Sequence, residues 1–275
     1  MDTKKKGVVL ITGASAGMGK VTAELLLKAG YIVYGAARRV ENMRDIESKG
    51  AHIMAMDVTD EASMINGVKR IIKEQGRIDV LFNNAGYGSF GAVEDVPMEE
   101  ARRQFEVNLF GLSRLTQLVL PYMRQQKSGK IINNSSVGGK IYTLLGAWYH
   151  ATKHAVEGFS DCLRLEVKPF GIDVVVIQPG AITTEWDGIA REHVKKTSGN
   201  TAYRKMADTF VNFMENAGKN ASSPDVIAQV VLKAIQSKTP KTRYVAGKYS
   251  KTTLFMRKVL SDRMLDRALY RMFKV

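Results

Sequence analysis

Short apolar runs alternate with stretches of helical periodicity along this chain as far as about residue 180. Residues 7–12 (Gly-Val-Val-Leu-Ile-Thr) form an unbroken hydrophobic run rich in β-formers, the pattern of a strand buried on both faces. Comparable runs predict strands at 31–36, 52–56, 78–83, 130–135 and 172–177, with a seventh near 243–246. Helices are predicted at 17–29, 41–48, 60–75, 99–126, 148–168 and 224–237. Regular alternation of this kind predicts an α/β fold: a doubly wound parallel sheet of about seven strands with helices on both faces. Ligands of such sheets bind beyond the carboxyl ends of the strands, where strand order reverses. The candidate motifs all fall at the end of a predicted strand or just after it.

The pattern changes near the C-terminus. Residues 251–275 place Leu254, Phe255, Val259, Leu260, Met264, Leu265, Leu269, Met272 and Phe273 at helical spacing, with Arg257, Lys258, Arg263, Arg267 and Arg271 between them. This predicts a basic, amphipathic helical extension. It could pack on its own protein, cover the substrate cleft, dock on a partner subunit, or make peripheral contact with an anionic membrane. Nothing else interrupts the chain: there is no Pro/Ser-rich linker, repeat or low-complexity tract. The expected organisation is one domain over 1–250, with a substrate lid at about 185–220, followed by the 251–275 extension.

Composition narrows the class. The chain has 275 residues, is 45% hydrophobic and carries a net charge of +14, high for a metabolic enzyme. That charge would suit a polyanionic cofactor, an acidic carrier protein, an anionic membrane or nucleic acid, or be no more than a basic surface. No helix-turn-helix, zinc spacing or stacking module is present, so specific nucleic-acid binding is not expected. His52, His150, His154 and His193 show no ligand pattern, and no metal is expected. The single cysteine, Cys162, suits a reducing compartment. The early first strand and the lack of any run of 18 apolar residues argue against a secretory leader or a membrane span. A cytoplasmic protein is expected.

The chemistry begins at Thr12-Gly13-Ala14-Ser15-Ala16-Gly17-Met18-Gly19, between the first strand and the first helix. Glycines let the backbone turn sharply and approach a pyrophosphate, whose charge is met by amides at the helix N-terminus. An ordinary Gly-rich turn is the plain alternative; strand, loop and helix in the right order speak against it. Further on, Tyr149 and Lys153 stand one helical turn apart, with Ser136 thirteen positions before the tyrosine. Phenol and ammonium can thus share one helix face. A tyrosine normally titrates at about 10, and a neighbouring cation favours the phenolate. Ser136 would hold the substrate oxygen while the phenol gives or takes its proton.

Cofactor choice follows from charge. The second strand ends Gly35-Ala36-Ala37-Arg38-Arg39, without the carboxylate that would grip a ribose 2′-hydroxyl. A guanidinium suits a 2′-phosphate, so the expected cofactor is NADP(H), held chiefly by Arg38 with Arg39 or Ser15 assisting. The plain alternative is that both arginines sit in a solvated turn; the missing acid speaks against it.

Together these residues resemble the short-chain dehydrogenase/reductase family, motif by motif over about 6–185. The resemblance implies a single-domain Rossmann fold. It implies a cofactor loop at Thr12, Gly13, Gly17 and Gly19, an adenine contact at Asp57-Val58, and a cofactor-flanking Asn84-Ala85-Gly86 after Asn83. It implies Ser136, Tyr149 and Lys153 as catalytic residues and Asn108 as support for a water relay to Lys153. Pro179, Gly180, Ile182 and Thr184 would cradle the nicotinamide, with Tyr149 and Lys153 beside it. A homodimer or homotetramer through the two long helices is implied as well. Tyr87, Phe90, Tyr142, Leu145 and Trp186 are candidates for a substrate pocket, an apolar and aromatic set fitting a hydrophobic carbonyl or alcohol. The segment 83–94 is similar to hydroxysteroid and retinol dehydrogenases of the family. A 3-oxoacyl carrier-protein reductase and a non-catalytic NADP(H) sensor are the competing functions.

Overall fold

The computed structural model describes residues 6–273, apart from the Trp186 side chain. Seven strands form one parallel sheet: β1 (Val8–Thr12), β2 (Ile32–Ala37), β3 (His52–Ala55), β4 (Val80–Asn83), β5 (Gly129–Asn134), β6 (Ile172–Pro179) and β7 (Arg243–Ala246). Their order is β3-β2-β1-β4-β5-β6-β7, so strand order reverses between β1 and β4. This is the doubly wound Rossmann-type arrangement that the alternation predicts.

Alternate strand residues feed two cores. Val9 and Ile11 face one side with α1 (Gly17–Lys28), α2 (Arg44–Glu47) and α9 (Asp225–Gln236). Val8 and Leu10 face the other with α3 (Glu61–Gln75), α5 (Leu112–Gln126) and α6 (Ala147–Val167). Helix α3 shows how locally such elements are specified. Asp60 caps its start, accepting from the amides of Ala62 at 2.9 Å and Ser63 at 3.4 Å, and Gly76 ends it in the left-handed region at φ 72°.

The stretch predicted as one helix over 99–126 is helical throughout but not uniform. Helix α4 (Met98–Phe105) passes into a π-helical turn at Glu106–Gly111 before α5 begins. Apolar periodicity over so long a window does not register one widened turn. The 41–48 prediction likewise becomes a 3-10 turn at Val40–Met43 followed by the short α2.

Beyond β6 lie α7 (Trp186–Ser198) and α8 (Arg204–Lys219). Their buried faces (Ala190, Val194, Ala207, Phe210, Met214) form a third apolar cluster with Phe90, Leu145 and Tyr149. The extension predicted at 251–275 is two helices, α10 (Ser250–Val259) and α11 (Asp262–Phe273). Residues 274–275, like 1–5, lie outside the described residues. Helix α11 packs on α8: Leu265 and Phe273 are buried, and the Phe273 ring stacks on Phe210 at 5.8 Å and meets Phe213 at 4.8 Å. Phe255, Val259, Met264, Tyr270 and Met272 stay exposed.

Candidate active site

The carboxyl ends of β1, β4, β5 and β6 open onto one cleft of about 460 Å³. The glycine loop forms its floor. Gly13 and Gly17 take φ of 66° and 52°, and a Cβ on Gly19 would fall 2.3 Å from the Gly13 carbonyl oxygen. Only glycine leaves room there for the helix to close on the strand. Thr12 and Asn84 tie the loop to the end of β4. The Thr12 hydroxyl accepts from the amides of Asn84 and Ala85, both at 3.0 Å, and the Asn84 amide donates to the carbonyls of Thr12 and Gly13.

Thr12, Gly13, Ser15, Gly17, Met18, Arg38, Arg39, Asp57, Val58, Asn84, Ala85, Gly86, Pro179, Gly180, Ile182 and Thr184 all line this cleft. Gly19 does not; it is packed behind the loop. Asp57 is shaped by its own turn, its carboxylate accepting from the amide and hydroxyl of Thr59 at 2.9 and 2.8 Å. The two arginines differ. Arg39 reaches across the mouth of the cleft to Glu185 at 3.2 Å, whereas Arg38 is exposed and has no ion-pair partner among the described residues.

At the other end, β5 delivers Ser136 and the face of α6 delivers Tyr149 and Lys153. The Ser136 hydroxyl accepts from the Gly138 amide at 3.0 Å and is hydrogen-bonded to the Tyr149 phenol. Lys153, 7% exposed, donates to the Asn134 carbonyl at 2.9 Å, and its ammonium lies 6.0 Å from the Tyr149 ring centre. The expected acidification of the phenol by Lys153 is not what this geometry gives. Burial pushes Tyr149 up to about 12, opposed by the Ser136 hydrogen bond and reinforced by the Asp187 carboxylate. Burial also brings Lys153 down to about 8, although the charge of Glu157 holds it up. Desolvation outweighs pairing for both groups, because each is enclosed while the cation stands off to the side.

Asn108 occupies the π-helical turn and does not line the cleft. Its side chain clamps the Tyr87 backbone, accepting from the amide at 3.0 Å and donating to the carbonyl at 2.9 Å, and donates to the Thr152 hydroxyl at 3.1 Å. It fixes α6 against the strand end, a positioning task.

Of the substrate-pocket candidates, Tyr87 and Phe90 line the cleft. Tyr142 and Leu145 do not. The Tyr142 hydroxyl turns away to Asp266 on α11 at 2.8 Å. Leu145, at φ 57°, is packed into the lid cluster. The side chain of Trp186 lies outside the described residues. Spacing along a loop says little about which way a side chain turns, and both corrections stem from that.

Several residues were not anticipated. His150 is buried and held neutral, its pKa pushed down to about 4 by burial. Its Nδ1 meets the Gly138 carbonyl at 2.9 Å and must donate, leaving Nε2 to accept from the Thr143 hydroxyl at 2.9 Å. Glu157, 2% exposed, binds Arg243 at 2.9 Å, Lys140 at 3.1 Å and Gln178 at 2.9 Å. It stands one turn beyond Lys153 on α6. Asp187 and Ile189 of α7 were not anticipated either; with Phe210, Phe213 and Met214 of α8 they complete the wall. No helix among the described residues is long and apolar enough to cross a membrane.

Comparison with known proteins agrees with this geometry. The family model described as short chain dehydrogenase matches residues 7–195. A 3-ketodihydrosphingosine reductase from Bacteroides thetaiotaomicron is 40% identical over 244 residues, covering 87% of this chain and 87% of the relative. An NADPH-dependent 3-dehydrocapnine reductase from Ornithobacterium rhinotracheale is 34% identical over 278 residues, covering 96% of each. Among solved structures, a short-chain dehydrogenase from Streptomyces avermitilis superposes with a TM-score of 0.81 at 31% identity, over 100% of this chain and 97% of the other.

Proposed function

The chain belongs to the short-chain dehydrogenase family, and from that premise we propose that it is an NADP(H)-dependent reductase of hydrophobic ketones. Its oxidoreductase character comes with the family; the cofactor form and the substrate class are our reading. The observation that carries it is the gathering of Ser136, Tyr149 and Lys153 at one end of a cleft whose other end presents Arg38.

The cleft fits a nicotinamide dinucleotide: the glycine loop leaves room only for backbone, and Arg38 has no ion-pair partner among the described residues. Thr12–Gly19 would hold the pyrophosphate, Asp57 and Val58 the adenine, Arg38 a 2′-phosphate, and Ile182 and Thr184 the nicotinamide. Such a cofactor, when bound, supplies the hydride. The residues of the chain do the rest. Ser136 holds the substrate oxygen, and Tyr149 delivers its phenolic proton to that atom. The phenol is protonated at neutral pH, as an ordinary tyrosine would be, and can donate to the substrate oxygen. Lys153 keeps a positive charge beside the site below about 8. The lid rings exclude water. The two relatives described above are both reductases, which supports reduction as the direction.

Arg38→Asp should shift preference from NADPH towards NADH by about 100-fold in kcat/KM, since a bidentate charge-assisted contact gives way to repulsion. Initial rates with each cofactor, followed at 340 nm over a panel of ketones, check this; unchanged selectivity removes Arg38 from the role.

Members of this family bind small-molecule substrates and oligomerise, and we place the association surface on the outer faces of α5 and α6. Phe110, preceding α5, is 52% exposed and Leu165 of α6 is 73% exposed, an unusual display for large apolar side chains on long helices. A second copy of this chain is the occupant. In sedimentation velocity the native protein should run as a dimer or tetramer, and Phe110→Glu with Leu165→Glu should convert it to monomer. A native protein that sediments as a monomer rules the surface out.

A further inference from the structure

Helices α10 and α11 line no part of the cleft, and each turns a basic stripe outward. On α10, Lys251, Phe255, Lys258 and Val259 recur at intervals of three and four and all are exposed, Phe255 at 64% and Val259 at 54%. On α11 the stripe is Arg263, Met264, Arg267, Tyr270 and Arg271, again all exposed. Only Leu260 and Ser261 separate the two helices. Tyr142 pins them together: Arg257 of α10 lies 6.0 Å over its ring, and its hydroxyl donates to Asp266 of α11 at 2.8 Å. Arg257 also pairs with Asp262 at 2.8 Å. Both acids of this segment are thereby engaged. Lys251, Lys258, Arg263, Arg267 and Arg271 have no ion-pair partner among the described residues.

Exposed cations alone make an ordinary solvated face, and single exposed apolar side chains are ordinary too. Their alternation along both helices is not, because it matches one kind of surface on two counts. An anionic bilayer offers phosphates to Lys and Arg and, just beneath them, acyl chains to Phe255, Val259, Met264 and Tyr270. A second copy of this chain fits poorly, since a two-fold face would set these cations against themselves. A nucleic-acid backbone would neutralise the charges but leave the apolar side chains uncovered. On its inner side α11 sets Phe273 against Phe210 and Phe213, which line the cleft. A chain docked through the outer stripes would hold that apolar wall about one helix diameter, roughly 10 Å, from the lipid.

We propose that the outer face of α10 and α11 docks this protein peripherally on an anionic lipid bilayer, with Arg263, Arg267 and Arg271 on the headgroups and Phe255 and Val259 at the acyl boundary.

Cosedimentation of the full chain with vesicles tests it. Vesicles of phosphatidylglycerol and phosphatidylcholine in equal parts should bind it at least about 10-fold more tightly than phosphatidylcholine alone. Arg263→Glu with Arg267→Glu and Arg271→Glu should cut that binding by about 100-fold or more. Phe255→Ser with Val259→Ser should cut it by about 10-fold. All five side chains are exposed, so both variants should keep the native unfolding transition. A native chain that ignores the anionic vesicles overturns the proposal, and so does binding that survives the arginine substitutions. Binding that survives the serine substitutions reduces the contact to a basic protein adsorbing by charge alone, and overturns it too. A fall in the native mass on arginine substitution, in sedimentation velocity without lipid, would give the face to a second copy. Tighter binding to a duplex oligonucleotide than to the anionic vesicles, lost with the arginines, would give it to nucleic acid; either result overturns the bilayer.

Discussion

Tyr149→Phe should lower kcat for ketone reduction by about a thousandfold while the dissociation constant for NADPH changes less than about threefold. The phenyl ring keeps its place beside Phe90, whose centre is 5.2 Å away, so the wall of the cleft is preserved. What disappears is the proton held within reach of the Ser136 hydroxyl. Single-turnover rates and fluorescence titration separate the two effects. Retention of more than a tenth of the native rate would show that another group donates the proton.

The pH profile carries the same argument. The phenol, at about 12, stays protonated across the working range. Lys153, brought down to about 8, is charged below that value and neutral above it. Reduction should therefore be level from pH 6 to about 7.5 and decline above pH 8 with a single limb, which Lys153→Met should abolish together with most of the activity.

Glu157→Leu should reduce the free energy of unfolding by about 3 kcal/mol, or lower Tm by roughly 6 °C. The carboxylate is enclosed and satisfies Arg243, Lys140 and the buried amide of Gln178 together. Its removal leaves Lys140 without an ion-pair partner among the described residues, leaves Arg243 to Asp161 alone at 2.7 Å, and leaves an amide unpaired. Chemical denaturation measures the loss; a change below about 0.5 kcal/mol would show that the cations simply turn outward to solvent. A second consequence reaches the active site. Glu157 favours the charged form of Lys153, so without it the alkaline limb of the rate profile should move to lower pH, a shift that mere loosening of the fold would not produce.

Much of this architecture is readable in the sequence. Strands such as Val8–Thr12 are buried on both faces, so their unbroken apolar runs could hardly be anything else. The glycine loop and the Ser136, Tyr149, Lys153 set were legible because their chemistry demands particular residue types at fixed intervals along rigid elements. Loops and the lid were harder. Leu145 adopts positive φ and Tyr142 is captured by Asp266, a residue 124 positions away, and neither outcome is encoded nearby. The acidified phenol failed for a different reason. One helical turn brought Lys153 onto the right face, but burial dominated the charge balance, and burial is a property of the finished fold. Glu157 and Asp187 are long-range cases too: each looks like an ordinary helix acid until Arg243 or Phe210 is brought up beside it.

The stacking of Phe273 on Phe210 has a bearing on how the protein is born. The nucleotide-binding half draws its contacts from residues that leave the ribosome early, up to about β6. The apolar cluster behind the cleft is complete only when residue 273 has been synthesised and has folded back over Phe210, more than sixty residues before it. A growing chain can thus hold its cofactor loop in order while the opposite wall still bares Phe210 and Phe213 to water, and for that interval these rings are the surface most in need of a chaperone.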